Sequence, residues 1–238
     1  MEKTFTFGEN DALIIIDPQN DFCSPKGALP VPDAEQAIPV INDYIKLVEK
    51  TKAKFFATRD WHPPNHISFK QRGGPWPPHC IQETEGAKFH PNLKLTSTVS
   101  IISKATDPDK ESYSAFDDTP LEQQLKAQNI QRLFIGGFAT DYCVKYTILK
   151  AMSLGFGTVL LLDSIRGINH DDTENALNEM TQKGVTKVAL ADFPDDVELP
   201  TDTEYETDGD EKPTTKAIVK KKARLRARGP YRKIKTER

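Results

Sequence analysis

The sequence predicts a three-layer α/β/α domain built on an open, mostly parallel sheet of six strands. Short apolar runs alternate with amphipathic segments from Ala12 to Leu190, the pattern of repeated strand–helix–strand units. The first run, Ala12–Asp17 (ALIIID), is apolar without alternation, as a strand buried on both faces must be. Ionisable residues also close several of these runs, which is where an open parallel sheet binds its ligands.

After that strand, Ala34–Lys52 places Ala37, Val40, Ile41, Tyr44, Ile45 and Val48 on one face of a helix. Lys54–Thr58 (KFFAT) is a second strand, followed by a long loop rich in Pro, Gly, His and Trp. Val99–Ser103 and Arg132–Gly137 are the third and fourth strands, with a helix over Leu121–Gln128 between them. Thr140–Leu154 reads as a helix, Thr158–Asp163 as a strand, Thr173–Lys183 as a helix and Lys187–Leu190 as the last strand. Asp17, Asp60, Lys104 and Thr140–Cys143 all fall at or just after the end of a strand, which assigns them to one edge of the sheet.

The pattern breaks after Pro194. From Asp195 to Glu211 there are nine acidic residues and no basic one, and from Lys212 to Arg238 twelve basic residues face a single acid, Glu237. The division is therefore a folded body over 1–194 and a disordered, acidic-then-basic tail over 195–238. The basic end has the charge to bind nucleic acid or acidic lipid. A solvated tail whose two halves attract each other is the preferred reading, so neither partner is expected. No apolar run reaches the roughly 18 residues of a membrane span, and the DALIIID stretch is too short for a leader. Three cysteines (Cys23, Cys80, Cys143) fit no disulfide framework, so free thiols in a reducing cytoplasm are expected.

Three of the five histidines, His62, His66 and His79, lie between Arg59 and Cys80. Asp60 precedes His62 by two, so in an extended segment both side chains point the same way. Any one of these histidines alone reads as a solvent-touching loop residue. Together with the carboxylate they read as a site for a divalent metal with room for waters. Trp61 and Trp76 share the loop; core packing explains each alone, and beside a metal they would wall an aromatic pocket.

Cys143, in GGFATDYCVKYT, sits where a strand turns into a helix. Free N–H groups and the helix dipole there favour a thiolate and can hold an oxyanion. A buried cysteine packed beneath the sheet is the alternative that position leaves open. A thiol nucleophile needs a base and a neighbouring cation, and Asp17 and Lys104 are available. A capping Asp and a solvated Lys would look the same. The residues alone thus give a cysteine site with a metal loop, in a hydrolase.

Five stretches carry a resemblance beyond this: IIIDPQNDFC (14–23), TRDWHPPNHISF (58–69), GGPWPPHC (73–80), SKATDPDKESYSAF (103–116) and GFATDYCV (137–144). In order and spacing the chain resembles the nicotinamidases of the isochorismatase-like hydrolase superfamily over about Ala12–Leu190. The resemblance implies that Cys143 is the nucleophile, Asp17 the base and later the proton donor to ammonia, and Lys104 the cation that stabilises both. It implies one divalent metal on Asp60, His62 and His79, zinc in the first instance, with iron(II) or manganese(II) accepted by the same donors. His66 lies in the same loop, and its direct ligation varies among relatives. Phe22 and Trp76 would flank a pyridine ring. A cis Phe138–Ala139 peptide would aim the N–H of Ala139, with that of Cys143, at the oxyanion. The implied reaction converts nicotinamide to nicotinate and ammonia through a thioester, in NAD salvage, with pyrazinamide as a second amide and a homo-oligomer as the expected assembly.

Isochorismatases and carbamoyl-amide hydrolases resemble the chain in fold but generally lack this metal loop. A binding-only protein that kept the fold would have no use for Asp17, Lys104 and Cys143 together.

Overall fold

The computed structural model describes residues 5–194. The tail expected over 195–238 lies outside the described residues. Six strands, β1 (Asp11–Ile16), β2 (Lys54–Asp60), β3 (Ser100–Lys104), β4 (Arg132–Phe138), β5 (Gly157–Arg166) and β6 (Thr186–Val188), form one sheet. Their order is β3-β2-β1-β4-β5-β6, and every pairing is parallel. Every residue of β1 is buried, as its unalternating sequence requires. The helices are α1 (Asn20–Cys23), α2 (Ala34–Glu49), α3 (Leu121–Ala127), α4 (Lys145–Ser153) and α5 (His170–Gln182).

The two faces of the sheet have separate cores. Leu13, Ile15, Phe134 and Leu161 pack with Ala37, Ile41 and Tyr44 of α2. Ile14, Ile16, Ile135 and Leu160 pack with Leu121 and Leu125 of α3, Ile148 of α4 and Met180 of α5. The chain moves outward from β1 to β3 and then crosses back to β4, so right-handed crossovers put α2 on one face and the later helices on the other. The reversal leaves β1 and β4 as neighbours that are far apart in sequence. Such a switch point opens a crevice at the carboxyl ends of the strands.

Two glycines shape that edge. At Gly137, which has φ +112°, a Cβ would lie 2.2 Å from the Ile16 carbonyl oxygen; at Gly136 it would lie 2.2 Å from Ser164 Oγ. The second contact arises because β5 bulges: between the Ile135–Leu160 and Gly137–Ile165 pairs, β4 advances two residues and β5 five. The Phe138–Ala139 peptide that follows is cis.

The last strand is Thr186–Val188 rather than Lys187–Leu190, with Leu190 in a 3₁₀ turn, the second strand runs on to Asp60, and three further boundaries differ from expectation near the site. The segment read as one helix over 140–154 opens with a π-turn, Thr140–Val144, before α4. There the Val144 N–H donates to the carbonyl of Ala139, five residues back, at 3.1 Å. The bulge carries β5 on to Arg166. And α5 begins at His170 rather than Thr173, because the Asn169 side chain accepts the N–H groups of Asp171 and Asp172. Among the described residues no helix is long and apolar enough to cross a membrane.

Candidate active site

Asp17 follows β1, Asp60 ends β2 and Lys104 ends β3. The register pairs Asp60 with Lys104 directly, so their side chains leave the sheet side by side. The Lys104 ammonium donates to Asp60 Oδ1, lies 3.0 Å from Asp17 Oδ2 and 3.3 Å from Cys143 Sγ, and reaches the Ser112 carbonyl at 3.5 Å. Its side chain is wholly enclosed. A buried cation is sustained only by compensating charge, and two carboxylates supply it.

The protonation states follow from this enclosure. Burial alone would lower the Lys104 pKa, but Asp17 and Asp60 drive it well above the ordinary value, so it stays an ammonium. Burial works to raise Asp60; Lys104 and then His62 and His79 overcome it and hold the carboxyl below its usual range. For Asp17 burial wins, and its pKa is raised in spite of Lys104 and Thr58. Burial likewise pushes the Cys143 thiol far up, with Lys104 opposing. Cys143 therefore rests as a thiol, beside a carboxyl group of enhanced basicity.

Thr58 steadies that carboxylate. Its hydroxyl donates to Asp17 Oδ1 at 2.6 Å and accepts the Asp17 N–H at 3.1 Å. Asp17 Oδ2 stands near the ammonium but at an angle that makes no directed hydrogen bond. We read the contact as an ion pair that leaves this oxygen open to a proton.

Asp60, His62 and His79 bring one donor atom each within 4.8 Å of one another, all buried. Asp60 Oδ2 is 3.5 Å from His62 Nε2 and 3.9 Å from His79 Nε2. His79 donates from Nδ1 to the Pro77 carbonyl at 2.8 Å, which presents Nε2 as a lone pair. Burial lowers its pKa to about 4, so the ring is neutral and able to ligate. Both ring nitrogens of His62 are buried and lack a partner. Buried polar atoms are rarely left so, and a metal ion on these three residues fits the orphaned imidazole. Gln19 fixes the main chain of Asp60, accepting its N–H and donating to its carbonyl, both at 2.7 Å.

His66 is committed elsewhere. Its Nε2 faces the Lys110 carbonyl at 2.8 Å, which can only accept, so Nδ1 accepts from Ser68 Oγ, also at 2.8 Å. No lone pair remains for a metal. A second donor set, Asp17, Asp60 and Cys143, also lies within 4.8 Å, but the Lys104 ammonium touches all three of its members.

Asp60, His62, His79 and Cys143 lie at the bottom of a cleft with Phe22, Trp76, Tyr113, Tyr142 and Ile168 in its walls. Trp76 is held by its indole N–H, which donates to Tyr113 Oη at 3.0 Å, and meets Tyr142 edge-on at 4.9 Å. Phe22 meets His79 edge-on at 5.5 Å. Ala139 and Cys143 also line the cleft. Trp61 does not. It packs against the α2-side core, with the Arg59 guanidinium 3.6 Å above its ring.

Sequence reasoning missed Thr58, Gln19, Tyr113, Tyr142 and Ile168. Thr58 had a signal, since it lies two before Asp60 on the same face of β2. Gln19 and Ile168 had none, because their contacts are made across the fold.

Residues 11–192, a span that holds every group described above, match the Isochorismatase domain. The nicotinamidase of Escherichia coli K12 is 37% identical over 205 residues, covering 76% of this chain and 96% of that relative. The nicotinamidase/pyrazinamidase of Mycobacterium tuberculosis is 35% identical over 185 residues, covering 74% and 97%. Among solved structures, the zinc complex of a pyrazinamidase from Pyrococcus horikoshii is similar with a TM-score of 0.73 at 49% identity, over 76% of this chain and 99% of that one. A protein of L. infantum in complex with nicotinate is similar with a TM-score of 0.75 at 34% identity, over 80% and 98%. Sheet order, the groups along its carboxyl edge and these likenesses agree, and the chain belongs to the isochorismatase family.

Proposed function

We propose that the protein is a nicotinamidase, which hydrolyses nicotinamide to nicotinate and ammonia in NAD salvage and also accepts pyrazinamide. The observation that carries this is the Asp17–Lys104–Cys143 trio beneath an aromatic cleft, beside a carboxylate and two imidazoles free to ligate. Kinship with nicotinamidases supports the substrate.

Cys143 passes its proton to the open oxygen of Asp17. Negative charge thereby moves from one neighbour of the Lys104 ammonium to another, 3.0 Å and 3.3 Å away, so the cost of a buried thiolate is largely offset. The thiolate attacks the carboxamide carbon, and the N–H groups of Ala139 and Cys143 receive the oxyanion. Protonated Asp17 then gives its proton to the leaving nitrogen; ammonia departs and a thioester remains. Asp17, again a carboxylate, takes a proton from water as it attacks the thioester. Nicotinate leaves, and that proton returns to sulfur. Phe22 and Trp76 hold the ring between them.

Asp60, His62 and His79 would hold one divalent ion, zinc first among those such donors accept, and it would supply a Lewis-acidic anchor for the ring nitrogen. A cytoplasmic homo-oligomer belongs to the same reading; the free, buried state of all three cysteines supports the reducing compartment, and sedimentation equilibrium tests the assembly. Ammonia release from nicotinamide by the wild type and by Cys143→Ala tests the whole. Turnover that survived in the variant would refute the thioester route.

A further inference from the structure

The loop from β5 to α5 carries Ile168 into the wall of the cleft, and one carboxylate holds it there. Asp141, two residues before the nucleophile, is 3% exposed. It accepts the Ile168 N–H at 3.1 Å on Oδ1 and 3.2 Å on Oδ2, and the Asn169 N–H at 3.1 Å on Oδ2. No cation pairs with it among the described residues; backbone donors alone balance its charge. Close packing at Gly167 leaves the loop little room to shift. A Cβ at Gly167 would lie 3.1 Å from Asp141 Oδ1 and 1.8 Å from Thr173 Oγ1. Asn169 in turn caps α5, so the loop is anchored at both ends. One wall of the cleft is thus tied directly to the turn that bears Cys143.

We propose that Asp141 is a positioning residue and Ile168 a specificity-determining one: the carboxylate fixes Ile168 as the wall that limits how large a group a ring amide carries into the cleft. The choice of a ring amide rests on the nicotinamidase reading; the wall itself does not. An Asn at 141 would keep one acceptor and turn an amide N–H toward a backbone donor. The loop would loosen while Asp17, Lys104 and Cys143 kept their contacts.

Wild type, Asp141→Asn and Ile168→Ala are compared in two ways. Alkylation of Cys143 by iodoacetamide and by the bulkier N-ethylmaleimide, followed by peptide mass spectrometry, needs no substrate. Ammonia release is then measured from nicotinamide and from a ring-alkylated nicotinamide. Both variants are expected to raise the maleimide-to-iodoacetamide rate ratio roughly tenfold and to shift kcat/KM toward the larger amide by a similar factor. KM for nicotinamide rises while kcat stays within about threefold, the mark of lost positioning rather than lost chemistry. Unchanged ratios in Ile168→Ala overturn the wall. Unchanged ratios in Asp141→Asn alone, or a fall in kcat with KM constant, overturn the positioning role. Hydrogen exchange of the wild type guards against a variant that fails to fold: slow exchange at Ile168 and Asn169 supports the tether, and fast exchange overturns it. A wild type that alkylates normally but releases no ammonia from nicotinamide sinks the nicotinamidase reading, while the alkylation ratios still decide the wall.

Discussion

The Lys104 ammonium lies 3.3 Å from the Cys143 sulfur, and both side chains are buried. The same ammonium sits against two carboxylates, so the proposed chemistry and the fold both depend on one group. Lys104→Met is expected to abolish turnover and to cost about 3–5 kcal/mol, because it leaves buried charge unpaired. For a domain of this size that lowers Tm on the order of 10 °C. The deficit should shrink as pH falls, since a carboxyl that takes up a proton no longer needs the cation. Calorimetry at neutral and acidic pH checks the sign; a deficit that grew on acidification would refute the pairing.

Cys143→Ala is expected to lower kcat on the order of 10⁴-fold or more while leaving nicotinate binding in place. The substitution removes the sulfur proposed as the nucleophile and neither aromatic wall of the cleft. Equilibrium binding beside the ammonia assay separates the two effects.

Thr58→Val deletes the 2.6 Å hydrogen bond to Asp17 Oδ1. That bond stabilises the carboxylate, so its loss adds to the upward push that burial already exerts on Asp17. The base must be ionised to take the thiol proton, and activity falls as pH drops through its pKa. The acid limb of kcat/KM therefore moves to higher pH in the variant. A limb that stayed in place would remove Asp17 from the role of base.

Chelation is expected to abolish binding of nicotinamide while leaving Cys143 open to alkylation, and added zinc should restore binding. His62→Ala should purify without metal. His66→Gln should keep about one equivalent, since both nitrogens of His66 are already bonded and a single closed donor set remains. Metal analysis of the two variants decides the ligand set.

Truncation after Pro194 removes the acidic and basic tail and retains every residue placed in the cleft. Turnover is expected to stay unchanged, and a loss would bring the tail into the catalytic unit.

Much of this architecture was legible in the sequence because buried parallel strands write themselves as apolar runs, and the ionisable residues that close them mark the edge where ligands bind. Asp17, Asp60 and Lys104 were located in that way. The roles of the cysteine's neighbours came from family likeness, since no spacing reveals that residues 17, 60, 104 and 143 meet. What stayed hidden depends on three-dimensional register. Thr58 reaches Asp17 only because β1 and β2 align as they do. The π-turn at Thr140–Val144 looks in sequence like the first turn of an ordinary helix. Trp61 and Trp76 share one loop, yet an arginine and the core claim the first while the cleft receives the second.

Asp60 belongs at once to an imidazole-rich donor set and to one that contains the sulfur. A thiophilic ion that reached both would compete with the proton for the sulfur. Lys104 fills the sulfur side with fixed positive charge, which disfavours a second cation there and leaves the histidines beside Asp60 as the open donors.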